Sequence, residues 1–171
     1  MIKTFARSLT ALAATSFACA GALAAAVVGQ AAPQFNANDT AGKPVSLAGL
    51  KGRYVVLEWV NPGCPFVQKH YDSKNMQGTQ KDATAKGVVW LAVNSGSGDY
   101  KAPAELAAWM KQHGAAATAT LMDADGKVGT AYGARTTPHM YVIDPQGMLI
   151  YAGAIDSKPT ANALDIGAAT N

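Results

Sequence analysis

Cysteine is scarce in this chain: two among 171 residues, Cys19 and Cys64. No disulfide framework can be built from so few, so the fold must rest on a hydrophobic core. Charge is sparse as well, with 15% Asp, Glu, Lys and Arg. No basic stripe stands out, which argues against a nucleic-acid partner. Also missing is a stretch of about 20 strongly apolar residues, the length a membrane-spanning helix needs. The longest apolar run, "LTALAATSFACAGALAAA", is mostly alanine.

That run follows Lys3 and Arg7 and ends in A-x-A sites at Ala22-Leu23-Ala24 and Ala24-Ala25-Ala26, so residues 1–26 read as a secretory signal peptide. Cys19 lies inside it. Ser16 and Phe17 make a poor lipobox, which weighs against Cys19 as a lipidated cysteine. Cleavage leaves residues 27–171 as one domain, exported, most simply to a bacterial periplasm, and not membrane-spanning. Without Lys3 and Arg7 the 14 Lys and Arg become 12 against 11 Asp and Glu, a net charge of +1. An exported compartment favours disulfides, yet this domain holds one thiol and cannot close a bridge with itself. Such an odd cysteine is either reactive or intermolecular.

Turn residues at Asp39–Gly42 and at Gly49 predict a lead-in with a short hairpin. "YVVLEWV" (54–60) and "VVWLAV" (88–93) are unbroken apolar runs of strand length. Apolarity without alternation means both faces are covered, as in a parallel sheet between helices. Pro65 suits the first turn of a helix, which would carry Phe66, Val67, His70 and Tyr71 on one side and continue or restart as far as Ala85. Leu106, Trp109 and Met110 give 104–113 the spacing of an amphipathic helix. "TATLMD" reads as a short strand, "KVGTAYGA" as a short helix ended by glycine, and "HMYVI", "DPQG" and "MLIYAGA" as a closing hairpin. A last helix is expected from Ala161. The order predicts an α/β domain, a mixed central sheet with helices on both faces and a C-terminal β-hairpin.

Cys64 falls between the end of a buried strand and a helix start. Free N–H groups of a first helical turn, with the positive end of the helix dipole, favour a thiolate there. A structural cysteine is expected instead in mid-element among apolar neighbours.

With these pieces in order, the chain resembles the thioredoxin superfamily, and within it the redoxin branch that includes the alkyl hydroperoxide reductase/thiol-specific antioxidant proteins, peroxiredoxin-like in type. The resemblance is carried by "VGQAAPQF", "GKPVSLAGLKGRYVVLEWVNPGCPF", "VVWLAVN" and "DADGKVGTAYGARTTPHMYVIDPQGMLIYAG", and it covers nearly all of residues 27–171. It implies a thioredoxin-like fold with Cys64 as the redox-active cysteine. Glu58 stands six residues before Cys64, where thioredoxins place a buried acid; desolvated beside a thiol, it would have a raised pKa and pass protons. The alternative is a glutamate whose head reaches water at the sheet's edge. Thr137-Pro138 matches the superfamily's Thr-Pro step, whose proline is cis and presents the preceding backbone to an incoming peptide or mixed disulfide.

Three departures bound what the resemblance implies. Val67 stands where a C-x-x-C motif has its second cysteine. Asn61 and Pro138 stand where typical peroxiredoxins place the Thr or Ser and the arginine that activate peroxide; Arg135 is the substitute nearest in sequence. Relatives with this pattern commonly continue into a helix and a tail with another cysteine, so a C-terminal truncation is open, the resolving thiol then missing from the sequence rather than from the protein. His139, after the proline, and His70, about 240° round the helix from Cys64, do not complete a metal set, because position 68 is Gln where copper chaperones of this fold have a second cysteine. Trp59, Trp90 and Trp109 read as core or loop-supporting aromatics.

The expected activity is therefore an exported thiol-dependent oxidoreductase with a single redox-active cysteine. Its substrate is a small peroxide or a disulfide-bearing protein partner, and an external reductant or resolving thiol completes the cycle, with no cofactor and no metal. The competing reading is a non-catalytic binding module that uses the groove beside Thr137-Pro138.

Overall fold

A computed structural model describes residues 25–96, 100 and 102–170. Most of the expected leader, with Cys19, lies outside the described residues. The lead-in hairpin forms from β1 (Asn36–Asp39) and β2 (Pro44–Ser46). Asp39 shapes its turn, with Oδ1 accepting from the N–H groups of Ala41 and Lys43 at 2.9 Å each, and Gly42 takes the left-handed backbone there at φ +81°.

The rest of the chain alternates between sheet and helix: β3 (Val55–Trp59), α1 (Pro65–Asp72), α2 (Asn75–Ala85), β4 (Val89–Asn94), α3 (Pro103–Gln112), β5 (Ala119–Met122), α4 (Lys127–Tyr132), β6 (His139–Ile143) and β7 (Leu149–Gly153). The sheet runs in the order β2-β1-β5-β4-β3-β6-β7. β3, β4 and β5 are parallel, and β6, β7, β1 and β2 join antiparallel at the two sides. Every residue of β3 and of β4 is buried, which is the physical content of their unbroken apolarity. The connections carry α1, α2 and α3 to one face of the sheet and α4 to the other.

Each face has its own core. On one, Val56, Trp90 and Met140 of the sheet pack with Val67 and Tyr71 of α1 and with Leu106 and Trp109 of α3. On the other, Leu57, Trp59, Leu91 and Tyr141 pack with Tyr132 of α4 and with Phe35 and Leu47 of the lead-in. Alternation along β3 thus sends Glu58, between Leu57 and Trp59, to the face that carries α1.

Two expectations are corrected. Phe66 does not join Val67, His70 and Tyr71 on the inner side of α1; it sits in the first turn and is 42% exposed, while Lys69 takes a buried place on this helix. The last helix from Ala161 is a 3-10 turn over Ala163–Ala168, capped by the Asn162 side chain accepting from Leu164 N–H. An α-helix this short needs a buried apolar stripe, and this segment has none, since Leu164 faces solvent. No helix among the described residues is long and apolar enough to cross a membrane.

Candidate active site

β3 delivers the chain to a loop fastened at each step. Asn94 of β4 donates from Nδ2 to the Val60 carbonyl at 3.1 Å. Asn61 folds the turn: its Oδ1 accepts from Gly63 N–H and its carbonyl from Cys64 N–H, both at 2.9 Å. Gln68 reaches back from α1 to the Pro62 carbonyl at 3.0 Å. Asn61, noted in the sequence only for the threonine it replaces, therefore sets the shape of the loop.

Cys64 is the N-cap of α1, with extended backbone and Pro65 at the first helical position. Its side chain makes no capping bond to the helix. Instead the half-buried Sγ donates to the Thr137 carbonyl at 3.0 Å, and the Thr137-Pro138 peptide is cis. The two segments singled out in the sequence, 73 residues apart, thus meet at one hydrogen bond. A thiolate has no proton to donate, so ionisation of Cys64 releases the carbonyl.

Glu58 is fully buried in the central strand. Three donors converge on it: Tyr71 Oη to Oε1 at 2.8 Å, and Gln80 Nε2 and Trp90 Nε1 to Oε2 at 2.9 and 2.7 Å. Burial pushes its pKa above the ordinary 4.5 even though all three bonds favour the carboxylate. Burial and the neighbouring carboxylate push Tyr71 well above the ordinary 10.0, so it stays a donor. The sequence reading missed these partners, which come from α1, α2 and β4. The available signal was that a buried Tyr or Trp needs a partner for its polar tip.

Behind Cys64 on α1 lies a second buried polar group, also unforeseen. Lys69 Nζ donates to Asp156 Oδ2 at 2.8 Å with both side chains almost wholly enclosed. His70 Nε2 is 3.5 Å from the same oxygen, and its Nδ1 pairs with Asn75 Nδ2 at 2.8 Å. Burial holds His70 below the ordinary 6.5, against the pull of Asp156. Burial opposes the ionisation of Asp156, but the bonds from Lys69 and the Lys158 N–H bring it below the ordinary 3.8. These contacts fasten the segment after β7 onto α1.

His139 lies on the opposite face, its Nδ1 3.1 Å from Tyr141 Oη and its pKa lowered by burial; it pairs with Tyr141 rather than with Cys64. Arg135 is exposed. Among the described residues no three His, Cys, Asp or Glu gather as a metal set.

With this geometry in view, comparison with known proteins gives consistent results. The family model described as the AhpC/TSA family matches residues 28–152. The thiol-disulfide oxidoreductase ResA of Bacillus subtilis (strain 168) is 30% identical over 122 residues, 71% of this chain and 64% of that protein. The chain thus spans just under two thirds of the length of that relative. Among solved structures, an uncharacterized conserved protein from Geobacillus kaustophilus superposes with a TM-score of 0.71 at 26% identity, over 80% of this chain and 73% of that one. The pneumococcal exposed lipoprotein thioredoxin of Streptococcus pneumoniae does so with a TM-score of 0.57 at 25% identity, over 77% and 95%. The fold is thioredoxin-like, as the resemblance implied.

Proposed function

Because the chain belongs to the AhpC/TSA family, we propose that it is an exported thiol-disulfide oxidoreductase that works through a single cysteine, Cys64. The observation that carries the reading is the Sγ of Cys64, at the start of α1, 3.0 Å from the carbonyl before a cis-proline. In this mechanism the Cys64 thiolate attacks one sulfur of a disulfide R–S–S–R′. The S–S bond breaks, R′–S⁻ leaves and takes a proton from water, and a Cys64–S–S–R mixed disulfide remains. The Thr137 carbonyl, released by ionisation of the thiol, then accepts an N–H from the bound partner. Val67 occupies the place of a second cysteine, so an external thiol supplies the two electrons that restore Cys64.

Glu58 acts in this scheme as a proton store beneath α1. Its Oε1 accepts one hydrogen bond and has a lone pair left to take a proton. Disulfide exchange is favoured over peroxide reduction by the Asn61 side chain, whose oxygen is engaged by the loop's own Gly63 N–H, leaving no hydroxyl to activate a peroxide. Export rests on the leader read in residues 1–26.

The test is reaction of the processed protein and its Cys64→Ser variant with 2,2′-dipyridyl disulfide, with a parallel arm using hydrogen peroxide and a dimedone trap. The expected result is rapid formation of one mixed disulfide per chain, absent in the variant, and slow sulfenic-acid trapping. A folded-state rate no greater than that of the unfolded chain's thiol would overturn the enzyme reading and leave the binding module. Faster trapping than mixed-disulfide formation would make the chain a peroxidase.

A further inference from the structure

The short helix α4 ends in four carbonyls, those of Gly129, Thr130, Ala131 and Tyr132, that have no partner among its own residues. Each is met from outside. Ala134 N–H donates to Gly129 at 2.9 Å, Gly133 N–H to Thr130 at 3.1 Å, and the Tyr141 hydroxyl to Tyr132 at 3.0 Å. The remaining donor comes from the far end of the sequence: Ala26 N–H meets the Ala131 carbonyl at 3.0 Å. Ala26 is half-buried and packs against the core of that face. Ala25 lies against the end of the same helix, so close that a Cβ added to Gly133 would stand 3.1 Å from the Ala25 methyl group. After Ala26 the chain is pinned to β7 instead. Gln30 N–H closes a turn on the Val27 carbonyl at 3.1 Å, Gly29 N–H donates to Leu149 at 2.8 Å, and Leu149 N–H returns a bond to Gln30 at 2.9 Å. The turn holds Val27 in place, one residue past the point where the Ala131 carbonyl is met. The packed domain therefore begins before Val27, inside the alanine run at the end of the leader.

That run offers a signal peptidase two bonds of equal quality by sequence. Ala22 and Ala24 stand third and first before the Ala24–Ala25 bond, and Ala24 and Ala26 stand likewise before the Ala26–Val27 bond. A peptidase that meets the chain extended reads both alike, but the folded domain does not. We propose that the leader is cut at the Ala24–Ala25 bond, so that the mature chain begins Ala25-Ala26-Val27. The inference rests on the export reading above. Water adds across this peptide bond, leaving a carboxylate on Ala24 and an α-ammonium on Ala25, and nothing else is consumed. Ala26 then keeps its amide N–H for the Ala131 carbonyl, whereas a cut after Ala26 removes the donor, the packed methyl group and the contact with Gly133 together. Gly21 supports the same bond from upstream. It is the poorest helix former of the leader's last residues, so an apolar helix ends there and Ala22-Leu23-Ala24 follows in extended form. The new α-ammonium lies at the cleft that Ala25 lines together with Asn61 and Thr137.

The experiment is expression of the full precursor in a bacterial host with an outer membrane, recovery of the protein from the periplasm, and determination of its first residues by N-terminal sequencing and intact mass. The expected start is Ala-Ala-Val-Val. A start at Val27, or at any leader residue before Ala25 other than Met1, overturns the assignment while the export reading stands. A chain that keeps its whole leader overturns that reading, and this inference with it. A second arm compares urea unfolding of two proteins released from a fusion so as to begin at Ala25 and at Val27. The shorter is expected to have a folding equilibrium constant about 3- to 10-fold smaller, the range for one lost backbone hydrogen bond. Coincident unfolding curves would overturn the placing of Ala25 and Ala26 in the domain.

Discussion

Replacing Glu58 separates two opposing effects that its burial combines. Glu58→Leu removes the acceptor of three buried donors. Three hydrogens lose their acceptor, Trp90 Nε1–H, the Tyr71 hydroxyl hydrogen and one N–H of Gln80, whose other N–H keeps Tyr71 Oη at 3.1 Å. At about 1–3 kcal/mol each, the loss is about 3–9 kcal/mol, reduced by whatever the buried carboxylate itself costs. Glu58→Gln keeps an oxygen for Trp90 and Gln80 and turns an N–H toward Tyr71 Oη, so it should stay within about 2 kcal/mol of the parent. The pH dependence follows from the direction of the shift. The folded carboxyl has a pKa above the ordinary 4.5, so between those two values the folded chain binds more protons than the unfolded one. The parent's stability therefore falls as pH rises from about 4.5, by up to about 1.4 kcal/mol per pH unit within that window. Neither variant carries this dependence. Urea unfolding of all three proteins from pH 4 to 8, followed by circular dichroism, measures both effects. A leucine variant as stable as the glutamine variant throughout, or a parent that gains on the glutamine variant as pH rises, would refute the reasoning.

Asp156→Ala strands the Lys69 ammonium and should cost about 3–5 kcal/mol in chemical unfolding; adding Lys69→Met should restore most of it. His70, facing Asp156, Lys69 and Asn75, is held below the ordinary 6.5. The unfolded chain thus takes the proton first, and stability is lost as pH falls through 6.5 and below. A His70→Gln variant should have a flatter profile over that interval in thermal melts. Two glycines make a contrasting pair: Gly129→Ala should lose about 1–3 kcal/mol from overlap with Ser95 Oγ. Gly78→Ala, within α2 with nothing near its new methyl group, should gain about 0.5–1 kcal/mol.

What could be read from the sequence was mostly what neighbours along the chain decide. "YVVLEWV" and "VVWLAV" declared two strands buried on both faces, Pro65 declared a helix start, and Gly133, left-handed at φ +66°, the end of α4. Cys64 and Thr137-Pro138 were found through family resemblance, which stores contacts that no local pattern contains. Partnerships made by packing stayed hidden. Tyr71, Gln80 and Trp90 come from three elements to meet one carboxylate, and Lys69 finds Asp156 from 87 positions away. Periodicity marks a residue as inward or outward, but not which polar tip it will meet. Phe66 shows the same limit from the other side: the pattern placed it with Val67, His70 and Tyr71, yet it is exposed while Lys69 is buried against Asp156.

The bond from Trp90 to Glu58 also gives the molecule an internal optical gauge. An indole N–H bound to a carboxylate and the same N–H bound to a neutral carboxyl group emit differently, so Trp90 fluorescence follows a proton deep in the sheet. The other two indoles have other surroundings: Trp59 donates to a hydroxyl, and Trp109 stacks on His113 with ring centres 4.0 Å apart. With those two replaced by phenylalanine, steady-state emission would record the charge of Glu58 while Cys64 turns over, with no label attached.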